Sequence, residues 1–173
     1  GQYAYATDRG SVSVIDVADP AAPREVGRGA VECGGEGITV AGKYAYLPCN
    51  DHGMHIVDIS DPRDPKQVGT FHGTDGAMDV TVAGKLAYIT SMENDVFGLY
   101  IVDVSDPKSP KQVVRYGDWM TGGIAVQGHY AYLARGNLSV LDVTNAATPK
   151  EVGFFDLPAD LATVSVAWRV AVA

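Results

Sequence analysis

Cysteine and basic side chains are the scarce features of this chain: two cysteines in 173 residues, and 13 Lys+Arg against 21 Asp+Glu. Two cysteines cannot supply a disulfide framework, so the fold must rest on a buried core. A net charge of −8 argues against a broad phosphate-binding surface, and nucleic acid is not an expected partner. No apolar run approaches the ~18 residues of a membrane helix, so direct insertion as a helix is not expected. The opening GQYAYATDRG shows no charged start followed by an apolar stretch. Apolar residues do not recur at i, i+3, i+4, which argues against helices. What is plentiful is glycine (20), proline (9) and tyrosine (9), within a chain that is 46% hydrophobic. That composition suits one turn-rich, folded domain.

The chain repeats itself. GKYAYLPCNDHGMHIVDISDPRDPKQVG and GKLAYITSMENDVFGLYIVDVSDPKSPKQVV share one pattern, as do QYAYATDRGSVSVIDVADPAAPREVG and GHYAYLARGNLSVLDVTNAATPKEVG. Tyr5, Tyr46, Tyr88 and Tyr132 are spaced 41, 42 and 44 apart. Asp16, Asp58, Asp103 and Asp142 are spaced 42, 45 and 39, and Pro23, Pro65, Pro110 and Pro149 repeat that spacing. The length differences fall between the Ala-Tyr segment and the next apolar run, which marks a surface loop.

Each unit reads as four short strands. An alternating run such as 37–41 leads through a Gly-Lys turn at Gly42-Lys43 into Tyr44-Ala45-Tyr46-Leu47. Glycine at the first central position suits a type II′ hairpin. A third strand from Met54 to Ile59 ends at Asp-Pro-x-x-Pro, because proline cannot continue a ladder. The fourth strand, Lys66-Gln67-Val68-Gly69, is short and more polar. Four-stranded units of about 40 residues, none able to bury both faces alone, point to β-propeller blades. The Tyr/Ala alternation puts a large ring on one face and a small side chain on the other, as a wedge between sheets requires. Tyr46, Tyr88 and Tyr132 are therefore predicted to be buried between successive blades.

The Y-A-Y-L, H-I-V-D-I-S-D-P and Y-I-V-D-V-S-D-P segments resemble the LVIVD-repeat propellers of bacterial and archaeal surface or secreted proteins. The resemblance covers essentially the whole chain. It implies an all-β propeller scaffold of four-stranded antiparallel blades of about 42 residues. It implies an extracellular, cell-surface or periplasmic setting, and it carries over no catalytic residue. The fourth unit departs from the pattern, with Thr144-Asn145-Ala146 where Ser-Asp-Pro is expected.

The paired aspartates 16/19, 58/61 and 103/106 have the composition of a calcium site. Their place at a strand end is instead that of side-chain-to-backbone turns, and each pair belongs to a different blade. Among His52, His55, His72 and His129, no spacing matches a zinc or copper motif, so no metal or other cofactor is indicated. No Ser-His-Asp set, phosphate loop or dinucleotide fingerprint is present. Asn137-Leu138-Ser139 fits a glycosylation sequon at a strand start.

Loops entering the first strand and loops leaving the second open onto one rim, and there the units disagree most. That rim is predicted to carry Glu36, Asp51, His52, His72, Asp75, Asp79, Glu93, Asp118, Trp119 and Arg135. An acidic rim with a tryptophan suits a basic or amphipathic protein partner, or a glycan. The expected function is a non-catalytic interaction scaffold; the alternative is a metal-dependent hydrolase or oxidase centred on the channel. Hairpin register pairs position 41 with 44, hence 36 with 49, which brings Cys33 near Cys49. A disulfide between them would be a local staple, suited to an oxidising compartment.

The expected units are 1–35, 36–77, 78–121 and 122–161, with 162–173 starting a further blade. Gln2-Tyr3-Ala4-Tyr5 enters at a second strand without its inner strand. An arc of a larger ring of about six to eight blades is expected, completed by further sequence or a second chain. Its end blades should present apolar faces.

Overall fold

The computed structural model describes residues 2–8, 10–32, 37–50, 52–74, 76–93, 96–117, 122–156 and 164. Within them the chain forms strands only, in four antiparallel sheets. The first holds β1 (Tyr3–Thr7), β2 (Ser11–Asp16) and β3 (Arg24–Ala30). The second holds β4 (Thr39–Ala41), β5 (Tyr44–Cys49), β6 (Gly53–Asp58) and β7 (Lys66–Phe71). The third holds β8 (Ala77–Ala83), β9 (Leu86–Glu93), β10 (Val96–Asp103) and β11 (Lys111–Tyr116). The fourth holds β12 (Ile124–Gln127), β13 (Tyr130–Ala134), β14 (Asn137–Asp142) and β15 (Lys150–Asp156). Every sheet is a simple meander in chain order, the arrangement of propeller blades.

Strand limits differ slightly from those expected. The inner strand of the second sheet begins at Thr39, and its outer strand runs on to Phe71. A bulge recurs in all four sheets, between Val14 and Ile15, Ile56 and Val57, Ile101 and Val102, and Val140 and Leu141. An extra residue on the outer strand at that place strengthens the twist of each sheet.

Turn chemistry is equally regular. Gly42, Gly84 and Gly128 take φ of 61°, 61° and 59°, the left-handed region that a Cβ disfavours. Ala41 pairs with Tyr44 across the first of these turns, the register expected. At the far end of each blade, Asp16, Asp58, Asp103 and Asp142 accept the backbone N–H two residues on, at 2.8–3.0 Å. Asp19, Asp61, Asp106 and Asn145 repeat the arrangement in the following turn, at 2.9–3.1 Å. The carboxylates are turn formers. Asn145 does in the fourth unit what aspartate does elsewhere, so loss of Asp-Pro there leaves the turn intact.

The core consists of three seams between successive sheets. In the first, Tyr5 and Val12 meet Ala45, Leu47, Cys49 and Val57. In the second, Tyr46, Met54, Ile56 and Phe71 meet Ala87, Ile89, Tyr100 and Val102. In the third, Tyr88, Leu99 and Ile101 meet Ala131, Leu133 and Leu141. Each seam thus sets the tyrosine of one blade against the alanine of the next.

Tyr46 and Tyr88 are buried, at 4% and 3% exposure, as expected. Tyr132 is only half-buried. The reason is positional: its ring lies on the outward face of the fourth sheet, which no other described sheet covers. Ala4 and Ala6, on the opposite face of the first sheet, are exposed for the complementary reason. The four sheets therefore form an open arc, not a closed ring.

Candidate functional site

The rim is built where β5 runs into β6, where β7 runs into β8, and at the equivalent places in the other sheets. Backbone bonds tie entry loops to second-strand ends at one edge: Met92 N–H donates to the Gly76 carbonyl at 2.8 Å, and Gly122 N–H to the Ala134 carbonyl at 2.8 Å. The hydroxyls of Thr74 and Ser91, both buried, bond to one another between the loop entering β8 and the end of β9. Entry loops and second-strand ends do share an edge.

Of the residues expected on that rim, Glu36, Asp51, Asp75, Asp118 and Trp119 lie outside the described residues, as does Cys33. Glu93 ends β9, and its side chain is likewise not described. His52 and His72 are exposed there. The remaining two, Asp79 and Arg135, are engaged by the scaffold.

Asp79 sits in β8 and faces the next blade. One carboxylate oxygen accepts the Val80 N–H at 2.8 Å, and the other the Ile124 N–H at 2.9 Å. Burial pushes its pKa above the usual carboxylate value, with the two N–H bonds pulling the other way. It fastens the inner edge of the fourth sheet to the third. Thr39 and Thr90 make comparable ties, donating across successive seams to the carbonyls of Val80 and Gly122 at 2.7 and 2.8 Å.

Arg135, on the β13–β14 turn, pairs with Glu151 at 2.7 Å and donates to the Ser139 hydroxyl. Ser139 is itself fully buried, and it also donates to the Asn137 carboxamide at 3.4 Å. The sequon serine therefore belongs to the seam.

His55 is the histidine that stands apart. It is buried at 3% exposure, and neither ring nitrogen has a hydrogen-bond partner among the described residues. Its ring stands 6.3 Å from that of His52, edge to face. Burial lowers its pKa; the charges of His52 and His72 act the same way, while the Gln67 side chain and Glu32 oppose them. The neutral imidazole is the favoured form. Among the described residues, no three His, Cys, Asp or Glu side chains are placed to hold a metal ion.

Sequence reasoning set His55 aside on spacing alone and missed its burial. A signal was available. Ser13, His55, Tyr100 and Ser139 occupy one register position, three residues before the terminal aspartate of each third strand, and all four are buried. A polar residue recurring in an otherwise apolar strand marks a position that the seam tolerates and one that a site would use.

Cys49 ends β5, fully buried against the first sheet, and no cysteine among the described residues is free.

The family model of the LVIVD repeat matches the chain four times, at residues 1–30, 35–72, 76–118 and 120–156. Each match spans one of the four sheets. No curated protein matches the chain.

Proposed function

The chain belongs to the LVIVD-repeat family, and on that footing we propose that this propeller module is a non-catalytic scaffold binding a protein or glycan through its rim. The observation that carries the reading is how the polar residues divide. The aspartates that recur in every unit are consumed by turns, and Asp79 and Arg135 by the seam and its edge. His52 and His72 stand exposed in loops where the four units differ in length and composition. Side chains released from the scaffold's demands are those available to a ligand.

The sequence segments assigned to the rim include Glu36, Asp51, Asp75 and Asp118, together with Trp119. A cationic peptide or a sugar ring is the matching ligand class. The setting we propose is a prokaryotic cell surface, secreted or periplasmic. Pairing of Cys33 with Cys49 suits it, because such a bond persists in an oxidising compartment.

The test is a glycan array and a panel of cationic peptides, read with the native chain and a Trp119→Ala, His72→Ala variant. Saturable binding by the native chain, lost in the variant with unchanged circular dichroism, is the expected result. Absence of binding to every probe would overturn the reading. So would stoichiometric copper, iron or zinc in the purified protein together with turnover, the signature of a metal-dependent enzyme.

A further inference from the structure

Ser13, His55, Tyr100 and Ser139 share one register position, and among them His55 alone has buried side-chain nitrogens or oxygens without a hydrogen bond. In the second seam Tyr100 lies against the Phe71 ring, centroids 6.4 Å apart, and in the third the Ser139 hydroxyl is engaged by Arg135 and Asn137. His55 pairs with Leu47, and paired residues point to one face, so the imidazole belongs to the first seam. The first sheet offers it no ring from its outer strand. Gly29 pairs with Val12 where Phe71 pairs with Met54 and Tyr116 with Leu99. A Cβ on Gly29 would overlap the Pro65 carbonyl oxygen, so no side chain can stand at that place. The scaffold itself has no evident use for an imidazole here.

A second imidazole stands beside it. The ring of His52 is 6.3 Å from that of His55. His52 lies on the turn between β5 and β6, where its N–H donates to the Cys49 carbonyl at 3.3 Å. Gly53 follows at φ 75°, where a Cβ would overlap the Phe71 carbonyl oxygen. The backbone carrying His52 is thus held in place, while its side chain is exposed and free to turn. Glu32, on the segment after β3, is close enough for its charge to act on His55. Gln67 is a further neighbour; its carboxamide donates to the hydroxyl of Thr70, the cross-strand partner of His55. Imidazole nitrogens suit copper, nickel and zinc, whereas calcium and magnesium call for oxygen. With metal–nitrogen bonds of about 2.0–2.1 Å, two rings on one ion stand roughly 5–6 Å apart, so a small turn of the exposed His52 ring suffices.

We propose that His55 and His52 form a two-imidazole site for one divalent transition ion (copper, nickel or zinc), with water in its remaining positions. His55 is the anchor, fixed by its burial, and His52 closes on the ion from the turn. The carboxamide of Gln67 is at hand to accept the N–H of the His55 nitrogen that does not coordinate, the support that a metal-bound histidine ordinarily has. Glu32 offsets part of the ion's charge. No three described side chains converge here, so the site is open, unlike the closed four-ligand sites that hold a fold together. The inference goes beyond the rim-binding reading and does not depend on it.

The test is a calorimetric titration of the metal-stripped chain with copper(II) sulfate, with electron paramagnetic resonance on the loaded sample. One ion per chain, with nitrogen couplings from two imidazoles, is the expected result. His52→Ala alters an exposed side chain and should leave the circular dichroism unchanged. It should weaken binding by more than about tenfold, since loss of even an outer partner of a metal ligand costs about 10–100-fold. His55→Ser, which copies Ser139, should weaken it as much, and His129→Ala, on the Gly128 turn, should change nothing. If His55→Ser fails to fold, His52→Ala and the nitrogen couplings decide the matter. Absence of saturable binding, unchanged affinity in His52→Ala, or an equal loss in His129→Ala would overturn the site. Copper held by this pair in a chain that binds no rim probe sinks only the binding function, while a rim ligand bound by a chain without the copper site sinks only this inference.

Discussion

The Asp79 carboxylate accepts the Ile124 backbone N–H at 2.9 Å, joining the third sheet to the fourth. A side chain that the sequence offers as a ligand for a partner is used by the protein to hold two of its own sheets together. Replacing Asp79 with alanine leaves that N–H at the seam without its acceptor. A loss of about 1–3 kcal/mol in denaturant unfolding is the expected outcome. Unchanged stability would place Asp79 among the dispensable rim residues.

Tyr88 and Tyr132 are the same residue of the same repeat in different company. Tyr88→Ala should cost about 3–5 kcal/mol, the range of large aromatic deletions from a packed core. Tyr132→Ala should cost clearly less in the monomer, because its ring is only half-buried. Measured side by side, equal losses would show the outward face of the fourth sheet to be covered already.

Folded His55 resists protonation, since burial lowers its pKa. The unfolded chain takes up that proton near pH ~6.5, so stability is full above that pH and falls as pH drops toward the folded value. Unfolding curves at pH 7.5 and 5.5 should show lower stability at the lower pH. In His55→Ser, which copies Ser139 of the fourth unit, the chain loses some packing and most of that pH dependence. A slope as steep as the native one would locate the proton elsewhere.

The turn aspartates act at lower pH. Hydrogen bonds from Ser60 hold Asp58 below the usual carboxylate value, and those from Ser105 do the same for Asp103. Both groups stabilise the fold above the unfolded carboxylate pKa of ~4, and that stability is lost as pH falls through their lower folded values. Asp58→Asn and Asp103→Asn should flatten the acid limb of the stability curve while keeping the turns, since a carboxamide oxygen can accept such an N–H, as that of Asn145 does one turn further on. An unaltered acid limb would count against the side-chain bonds.

A disulfide between Cys33 and Cys49 would close a loop of about 15 residues, worth roughly 3 kcal/mol in the chain-entropy picture. Reducing agent should therefore lower the unfolding midpoint of the native chain and leave that of Cys33→Ser, Cys49→Ser unmoved. An identical response in both would mean that no such bond contributes.

The blade was legible from the sequence because its determinants are local and repeated fourfold. Strand alternation, the Gly-Lys hairpin and the Asp-Pro stop each act over a few residues, and four copies separate pattern from accident. The Tyr/Ala wedge was legible for the same reason. The site was less so, since a side chain's role there depends on neighbours some 40 residues away. Asp79 and Arg135 read as rim ligands until the seam bond to Ile124 and the ion pair with Glu151 came into view. His55 was set aside on spacing, and its burial with both ring nitrogens unpaired among the described residues arises only in the packed structure. The sequence alone determined the strands, their order and which face of each carries the large ring, because backbone preference and period-two patterning are properties of a segment. Only the tertiary structure decided which polar groups are engaged and which apolar faces stay open, because burial and hydrogen-bond satisfaction are properties of neighbours.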